Sequence, residues 1–266
     1  MTIDTITIYP VKSAKGTSLS DTAVLPYGLQ YDRNWALFDA NGKVITARQF
    51  PQILRISTLL EKEHLVIYKD GEVVLQIPIR ASKKAEGLEV FKEKALGYNM
   101  GETAHAFFSS FLQTDCHLMF MGYQFARNVA PKYGGQLTDV VGYADECPLL
   151  LISQASLEDL NSRLDTPVTM QHFRPNLTVA HSEPYEEDTW KKIRIGNCEF
   201  EVNQQCKRCV FTTIDPITQE KSPDQEPLRT LASYRKHPRG GTAFGVHLIP
   251  RETGQISIND KVEVIG

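Results

Sequence analysis

Two cysteines stand three residues apart in the segment Cys206-Lys207-Arg208-Cys209, and each of them is next to a cationic residue. Neighbouring positive charge lowers the pKa of a thiol, and the thiolate is the form that binds soft metals and attacks electrophiles. The β-branched and aromatic run that follows ends at a turn. The residue types and their spacing therefore predict a metal-binding or nucleophilic site at the edge of a strand.

Four interpretations of this cysteine pair are open from the local sequence. A redox dithiol usually begins a helix, and the following residues, Val210-Phe211-Thr212-Thr213, are poor helix formers. Half of a zinc site would need a second Cys or His pair at ligand spacing, and no other cysteine pair has it. The other two interpretations are balanced: one thiolate that binds a cofactor metal beside a structural cysteine, or two structural cysteines in a strand.

Four other segments carry side chains suited to an anionic or heterocyclic ligand. The first leaves a strand and places Lys12-Ser13 in a loop that can offer charge, a hydroxyl group and N–H groups. Two more place Arg33 and Arg48 at strand ends, and the fourth contains Arg174-Pro175-Asn176 in an extended X-Pro segment. Arginine suits bidentate phosphate binding, and asparagine suits the edge of a heterocycle. Taken singly, each arginine is expected at the surface.

The elements that must position these side chains are mainly strands. Alternating polar and apolar residues predict a strand over 2–9, and the turns Asn41-Gly42 and Asp70-Gly71 predict antiparallel hairpins. Further strands are predicted over 193–202, 209–214, 243–249 and 262–265, and helices over 102–112, 156–164 (with Ser156 as cap) and 227–236 (with Pro227 at its start). The predicted fold class is mainly β with a few helices, of the α+β type.

Length, charge and cysteine count narrow the class of protein. The 266 residues suffice for one large domain or two ordinary ones, and the net charge of -3 argues against a nucleic-acid partner. An odd number of cysteines in a chain of this size argues against a secreted disulfide framework. No signal sequence is recognised, and no apolar run approaches the ~20 residues of a membrane span. The protein is therefore expected to be soluble, cytoplasmic and without a membrane partner.

Taken in order, the segments resemble the MOSC family of molybdenum-cofactor proteins, in particular its two-domain members similar to the mitochondrial amidoxime-reducing component. The resemblance covers nearly the whole chain and runs through Tyr9-Pro10-Val11-Lys12-Ser13, Asp32-Arg33, Thr46-Ala47-Arg48-Gln49, Leu151 to Leu157, Asn161-Ser162-Arg163-Leu164, Phe173-Arg174-Pro175-Asn176 and Cys206 to Pro216. It implies an N-terminal β-rich domain over 1–120 and a MOSC β-barrel domain over 121–266. The molybdopterin cofactor would lie between them.

The same resemblance implies roles for single residues. Cys209 matches the molybdenum ligand at the catalytic centre, while Cys206 matches a cysteine that does not bind the metal. Asp145 matches an acid near the metal that could shuttle protons. The other implied contacts are with the phosphate and pterin of the cofactor, and they fall on Lys12, Ser13, Arg33, Arg174, Asn176 and Arg208.

The function implied is that of a molybdenum-cofactor oxidoreductase that reduces N-hydroxylated compounds such as hydroxylaminopurines and amidoximes. Many bacterial members continue into an iron–sulfur domain whose cysteine cluster is missing from this sequence, so electrons are expected from a separate protein of flavin, iron–sulfur or haem type. One alternative is a sulfur-carrier or sulfur-transfer module for metal–sulfur cofactor assembly, with a persulfide on Cys209. Another is a β-barrel that has lost its cofactor.

Overall fold

The computed structural model describes residues 1–79, 84–237 and 239–266. Within these ranges the chain forms 21 strands: β1 Thr2–Ile8, β2 Thr17–Leu19, β3 Asp21–Leu25, β4 Gly28–Leu29, β5 Trp35–Asp39, β6 Val44–Ile45, β7 Ile56–Glu61, β8 His64–Lys69, β9 Glu72–Pro78, β10 Ala85–Val90, β11 Glu93–Asn99, β12 Cys116–Phe120, β13 Arg127–Asn128, β14 Val140–Val141, β15 Leu149–Ser153, β16 Leu177–Ala180, β17 Lys192–Ile195, β18 Cys198–Arg208, β19 Thr242–Pro250, β20 Gly254–Ser257 and β21 Val262–Val264. Four α-helices lie in the same ranges: α1 Glu102–Leu112, α2 Gln154–Asn161, α3 Met170–Phe173 and α4 Leu228–Tyr234. The predicted mainly β class with a few helices is confirmed.

The largest sheet has eight strands in the order β2-β1-β16-β15-β19-β18-β17-β21. Its neighbours are antiparallel except β15 and β16, and the connection between these two parallel strands carries α2 and α3. Among the described residues no ladder closes this sheet. An isolated bridge between Thr2 and Lys261, with the Ile3 N–H donating to the Asp260 carbonyl at 2.9 Å, links β1 to the turn before β21. A closed β-barrel therefore stays a prediction.

Both hairpins predicted from turn sequences are confirmed. β5 pairs with β6 around Gly42, and β8 pairs with β9 around Asp70-Gly71. Asp70 and Gly71 both have positive φ, 53° and 89°, which is the geometry that a two-residue turn between twisted strands requires. The first hairpin belongs to a five-stranded sheet, β10-β11-β12-β5-β6, and the second to the three-stranded meander β7-β8-β9.

Two large apolar cores lie on either side of the loop that follows β1. One contains Trp35, Phe108 and Leu118 under α1, and the other contains Ile6 and Val246 in the eight-stranded sheet. Because β1 pairs with β16 and β3 pairs with β20, the first strands of the chain pack with C-terminal strands. The division into 1–120 and 121–266 stays a prediction, and the loop after β1 passes from one core to the other.

The predicted helices are present, and their caps follow local chemistry. α1 has the predicted bounds, with Ala104, Phe108 and Leu112 buried along one face. α2 begins two residues before the predicted start, because the Ser153 hydroxyl, not that of Ser156, accepts the capping bond. In α4 the proline before the first helical residue lies at the helix start as predicted. No helix of the described part of the chain is long and apolar enough to cross a membrane.

Two strand predictions are wrong. The segment predicted as a strand over 209–214 contains a 3₁₀ helix, Val210–Thr213, because the hydroxyls of Thr212 and Thr213 bond to the carbonyls of Cys209 and Val210 at 3.0 and 2.8 Å. Such local bonds compete with a sheet ladder. The segment 193–202 is two strands, since Gly196, with φ of 55°, turns the chain between β17 and β18.

Candidate functional site

One cleft is lined by residues from both ends of the chain. Its empty volume is about 950 Å³, the part open to solvent included. All eight residues predicted for the site line it: Lys12, Ser13, Arg33, Asp145, Arg174, Asn176, Arg208 and Cys209. The lining includes six Lys or Arg residues and two Asp or Glu residues, so the cleft is strongly cationic in a chain whose net charge is -3. It suits an anionic ligand.

Three of these residues have left-handed backbone conformations without being glycine. The φ values of Ser13, Arg33 and Arg174 are 71°, 48° and 58°. Arg174 takes this conformation as the residue that ends α3. Backbone strain of this kind costs about 1–3 kcal/mol per residue and clusters at functional sites. The three side chains reach the cleft through turns that residue-type preferences alone would not have indicated.

Lys12 is buried, with 5% of its surface exposed, and its backbone is held against β5 by an N–H bond to the Trp35 carbonyl. Its Nζ atom donates to the Tyr143 carbonyl at 2.7 Å and forms an ion pair with Asp145. Burial lowers the pKa of Lys12 to about 8, because the Asp145 carboxylate offsets only part of the lost hydration. The ammonium group is charged at neutral pH and loses its proton above it.

Asp145 stands between Lys12 and Arg48, whose Nη2 atom donates to Asp145 Oδ2 at 2.7 Å. The side chain keeps 40% of its surface exposed to the cleft. Burial by itself would raise the pKa of Asp145, but the two cations outweigh it and hold the pKa well below its usual range. A carboxyl group that is ionised throughout the neutral range is a poor proton donor, so the geometry does not favour the predicted proton shuttle.

Cys209 follows β18 and caps the 3₁₀ helix, where its side chain is exposed at the cleft. Arg48 Nη2 donates to its Sγ atom at 3.4 Å. Arg48 was not among the predicted cofactor-binding residues. The available signal was the segment Thr46-Ala47-Arg48-Gln49. This segment places Arg48 at a strand end and belongs to the family resemblance.

Arg33 and Arg174 share one aromatic support. Their guanidinium carbons lie 4.3 and 4.1 Å from the centroid of the Tyr9 ring. Arg33 Nη1 also pairs with Asp32 Oδ2 at 2.5 Å, and Arg174 Nη1 donates to the Ala14 carbonyl at 2.6 Å. Burial lowers the pKa of Arg174 to about 10, which leaves it a cation at neutral pH. Two guanidinium groups, both held by protein contacts, therefore line the cleft beside the same ring.

Asn176 is a buried partner of Arg33. Only 1% of its surface is exposed, and its Oδ1 atom accepts from Arg33 Nη1 at 2.9 Å and from the Leu150 N–H at 3.2 Å. Its Nδ2 atom donates to the Thr7 carbonyl at 3.1 Å. Because these bonds join β1, β15 and Arg33, the geometry favours a positioning role for Asn176 over the predicted contact with a heterocycle edge.

Arg208 has a donor that no described residue satisfies. Its Nη1 atom donates to Cys206 Sγ at 3.0 Å and its Nη2 atom to the Phe173 carbonyl at 2.7 Å. Its Nε atom is buried without a protein partner among the described residues. A buried unpaired N–H group is costly, so a ligand acceptor at this wall of the cleft would satisfy it. An anionic cofactor fits this orphaned donor.

The two cysteines of the pair differ sharply. Cys206 is buried, while Cys209 is exposed. Burial alone would raise the pKa of the Cys206 thiol, but Arg208 and His247 outweigh it and lower that pKa. Burial raises the pKa of Cys116, to about 11, and that of Cys147. The exposed Cys209 is thus the thiol that a ligand in the cleft meets first.

Comparisons with known proteins point to the same family along the chain. The family model described as the MOSC N-terminal beta barrel domain matches residues 1–115, and the MOSC domain model matches residues 138–263. The mitochondrial amidoxime reducing component 2 of Bos taurus is 32% identical over 280 residues, 98% of this chain and 82% of the relative. The mitochondrial amidoxime-reducing component 1 of Homo sapiens is 31% identical over 289 residues, 100% of this chain and 83% of the relative. The molybdenum cofactor sulfurase of Oryza sativa subsp. japonica is 31% identical over 273 residues, 92% of this chain and 32% of that longer protein.

Proposed function

The chain belongs to the family of proteins that join a MOSC N-terminal domain to a MOSC domain, and on this premise we propose that it is a molybdenum-cofactor oxidoreductase. Its substrates would be N-hydroxylated compounds such as amidoximes and hydroxylaminopurines, reduced to the amidine or amine. The likeness to amidoxime-reducing relatives supports amidoximes as substrates.

The observation that carries the proposal is the exposed Cys209 thiol at the wall of a cationic cleft. A thiolate is the protein ligand that soft metal centres prefer. The surplus of cations around it, and the unpaired Nε atom of Arg208, suit the phosphate and the polar pterin of a molybdopterin. A metal ligand and an anion cradle within one cleft together favour this cofactor over a simple metal site.

The residues divide into three tasks. Cys209 would bind the metal, and Arg48 would donate a hydrogen bond to its sulfur and so reduce the electron density on that ligand. Arg33, Arg174 and Arg208 would hold the phosphate and pterin, with Lys12 and the hydroxyl of Ser13 at the same wall: all of these residues line the cleft.

The reaction requires two electrons and two protons, since an N–OH group becomes N–H and the oxygen leaves as water. The bound cofactor would supply the oxygen-accepting metal and its two-electron chemistry. Asp145 is ionised beside Lys12 and Arg48, so the protons would come from water in the open cleft. The electrons would come from a separate electron-transfer protein of flavin, iron–sulfur or haem type.

The test measures metal, pterin and reaction on the same preparation. The chain is produced in a host that makes the molybdenum cofactor, and benzamidoxime reduction is followed with a reduced viologen dye as electron source. Wild type should contain molybdenum and pterin and form benzamidine. Cys209→Ala should lose molybdenum and activity while folding normally, and Val210→Ala, which alters the exposed neighbour, should keep both. Full reductive activity in Cys209→Ala would refute the assignment.

A second candidate, sulfur transfer through a persulfide on Cys209, is supported by the exposure of that thiol and by the likeness to part of a molybdenum cofactor sulfurase. The same preparations distinguish it. A persulfide releases thiocyanate on treatment with cyanide, and this product should come from wild type and not from Cys209→Ala. Thiocyanate without molybdenum, pterin or benzamidine formation would favour the carrier function.

A further inference from the structure

A second group of metal-binding side chains lies away from the cleft, on the surface where α1 meets β12. His105 is on α1, Asp115 immediately precedes β12, and His117 is on that strand. One ligand atom of each residue lies within 4.8 Å of the other two, and none of the three lines the cleft. We propose that these residues form a site for a divalent transition metal, with zinc the best match.

The local sequence folds the chain back so that these residues meet. Gln113, with φ of 54°, ends α1 in the left-handed conformation and reverses the chain direction. The Ser109 hydroxyl then bonds both the N–H and the carbonyl of Cys116, at 3.0 and 3.1 Å, which fixes how far β12 returns along the helix. Because side chains alternate across a strand and Cys116 points inward, its neighbours Asp115 and His117 point outward, towards His105.

Each histidine has one ring nitrogen held by an outer partner. His105 Nδ1 lies 3.2 Å from Glu102 Oε1, and His117 Nδ1 accepts from Asn99 Nδ2 at 3.4 Å. The Glu102 carboxylate accepts the Nδ1 proton of His105 and so favours the tautomer in which Nε2 of His105 is free to bind a metal. The Asn99 amide donates to Nδ1 of His117 and so favours the proton on Nε2; His117 would bind a metal through Nδ1 in place of this weak bond. His105 Nε2 already faces Asp115 Oδ1 at 2.8 Å. At His105 the outer partners therefore suit a metal ligand as well as a surface ion pair.

The movement required to bind a metal is small. Tetrahedral zinc with bonds of about 2.0–2.2 Å to N and O brings its ligand atoms to roughly 3.3 Å from each other, against a present limit of 4.8 Å. The two imidazole rings are stacked, 4.3 Å apart at 24°, and must splay at their edges. The side chains of His105 and Asp115 are 26% and 61% exposed, so there is room for this adjustment. Two imidazoles and one carboxylate leave a fourth position for water.

The competing occupant of the site is a proton. Hydrogen bonds to Asp115 and then to Glu102 raise the pKa of His105 against the lesser effect of its burial. Without a metal, these hydrogen bonds favour the protonated form of His105. Metal binding must release that proton, so affinity should fall as pH decreases through the titration of His105.

Zinc binding to the full chain tests the proposal. The tag-free protein is stripped with a chelator and titrated with zinc sulfate by calorimetry, in the Cys209→Ala background so that the exposed thiol does not compete. One zinc ion per chain should bind. His117→Ala and Asp115→Asn should each weaken binding by at least about tenfold, because each removes a ligand. The matched control is His181→Asn, which removes an exposed histidine elsewhere and suits its positive φ.

Two further readouts separate a metal site from an ion pair. Zinc should raise the thermal unfolding temperature of the Cys209→Ala chain and leave that of the His117→Ala chain unchanged, since the metal would join α1 to β12. Cobalt(II) should give a visible absorption band that zinc displaces. The proposal is overturned if no saturable one-to-one binding occurs, or if both ligand variants bind zinc as tightly as the Cys209→Ala chain. If His117→Ala fails to fold, Asp115→Asn decides.

Discussion

The guanidinium group of Arg48 lies 3.4 Å from the sulfur of Cys209, a residue 161 positions later in the chain. The same nitrogen lies 2.7 Å from Asp145 Oδ2, so one donor is shared between a thiol and a carboxylate. Arg48 is thereby anchored by Asp145 and presented to the proposed metal ligand. A charged donor beside a sulfur ligand tunes the metal that the sulfur binds.

Replacing Arg48 by leucine should reduce the rate of benzamidoxime reduction by about 10–100-fold while molybdenum content is largely kept, as expected for an outer partner of a metal ligand. The rate of Arg48→Lys should fall between those of wild type and Arg48→Leu, because one ammonium group cannot reproduce the planar set of donors on a guanidinium group. Arg229→Leu, at an exposed arginine, is the control. Activity and metal lost in equal proportion would show that Arg48 holds the cofactor and does not tune its ligand.

In protein without cofactor, brief treatment with iodoacetamide should modify Cys209 first. Its side chain is exposed, whereas the other four cysteines are buried. Peptide mass spectrometry should find one rapidly alkylated position in the native chain and five after unfolding in urea. The rapid reaction should disappear in Cys209→Ala. Equally rapid labelling of Cys206 would contradict the asymmetry, since its lowered pKa would then outweigh its burial.

Anion binding in the cleft should weaken as pH rises through about 8, where Lys12 loses its charge. In Asp145→Asn the burial of Lys12 remains but the carboxylate that raises its pKa is gone, so the pKa falls further and the loss should begin at lower pH. The amount of pterin that each protein retains after dialysis at a series of pH values measures the midpoint of this loss. Lys12→Arg keeps its charge at alkaline pH, so its anion binding should no longer weaken there. An unchanged midpoint in Asp145→Asn would exclude the coupling.

Asn176→Ala should lower the free energy of unfolding by about 1–3 kcal/mol, even without cofactor, because it leaves the buried Leu150 N–H and Thr7 carbonyl unpaired on that side. Urea unfolding of the cofactor-free chain measures the change. Asn128→Ala, at an exposed position, should stay within about 0.5 kcal/mol of wild type. If Asn176→Ala reduces pterin content without any loss of stability, Asn176 contacts the cofactor directly.

Much of the organisation follows from local sequence. The hairpins around Gly42 and Asp70-Gly71 and the helix α1 depend on turn chemistry and on apolar spacing, which act between near neighbours. The thiols of the Cys206 to Cys209 segment, and the cations of the loop after β1, are also visible as residue types. For these features the sequence was enough to predict the class of fold, and the family resemblance indicated eight of the residues that line the cleft.

The tertiary structure decided which of those residues contact each other. Asp145 is held ionised because Lys12 and Arg48 come from distant segments, and Asn176 is committed to three protein partners from other parts of the chain. The strand predicted after Arg208 became a 3₁₀ helix, since threonine hydroxyls bond the nearby carbonyls of Cys209 and Val210. Residue types determined the chemistry available. Long-range packing determined charge states, partners and the difference between Cys206 and Cys209, because burial and Coulomb energy depend on distances that sequence order does not contain.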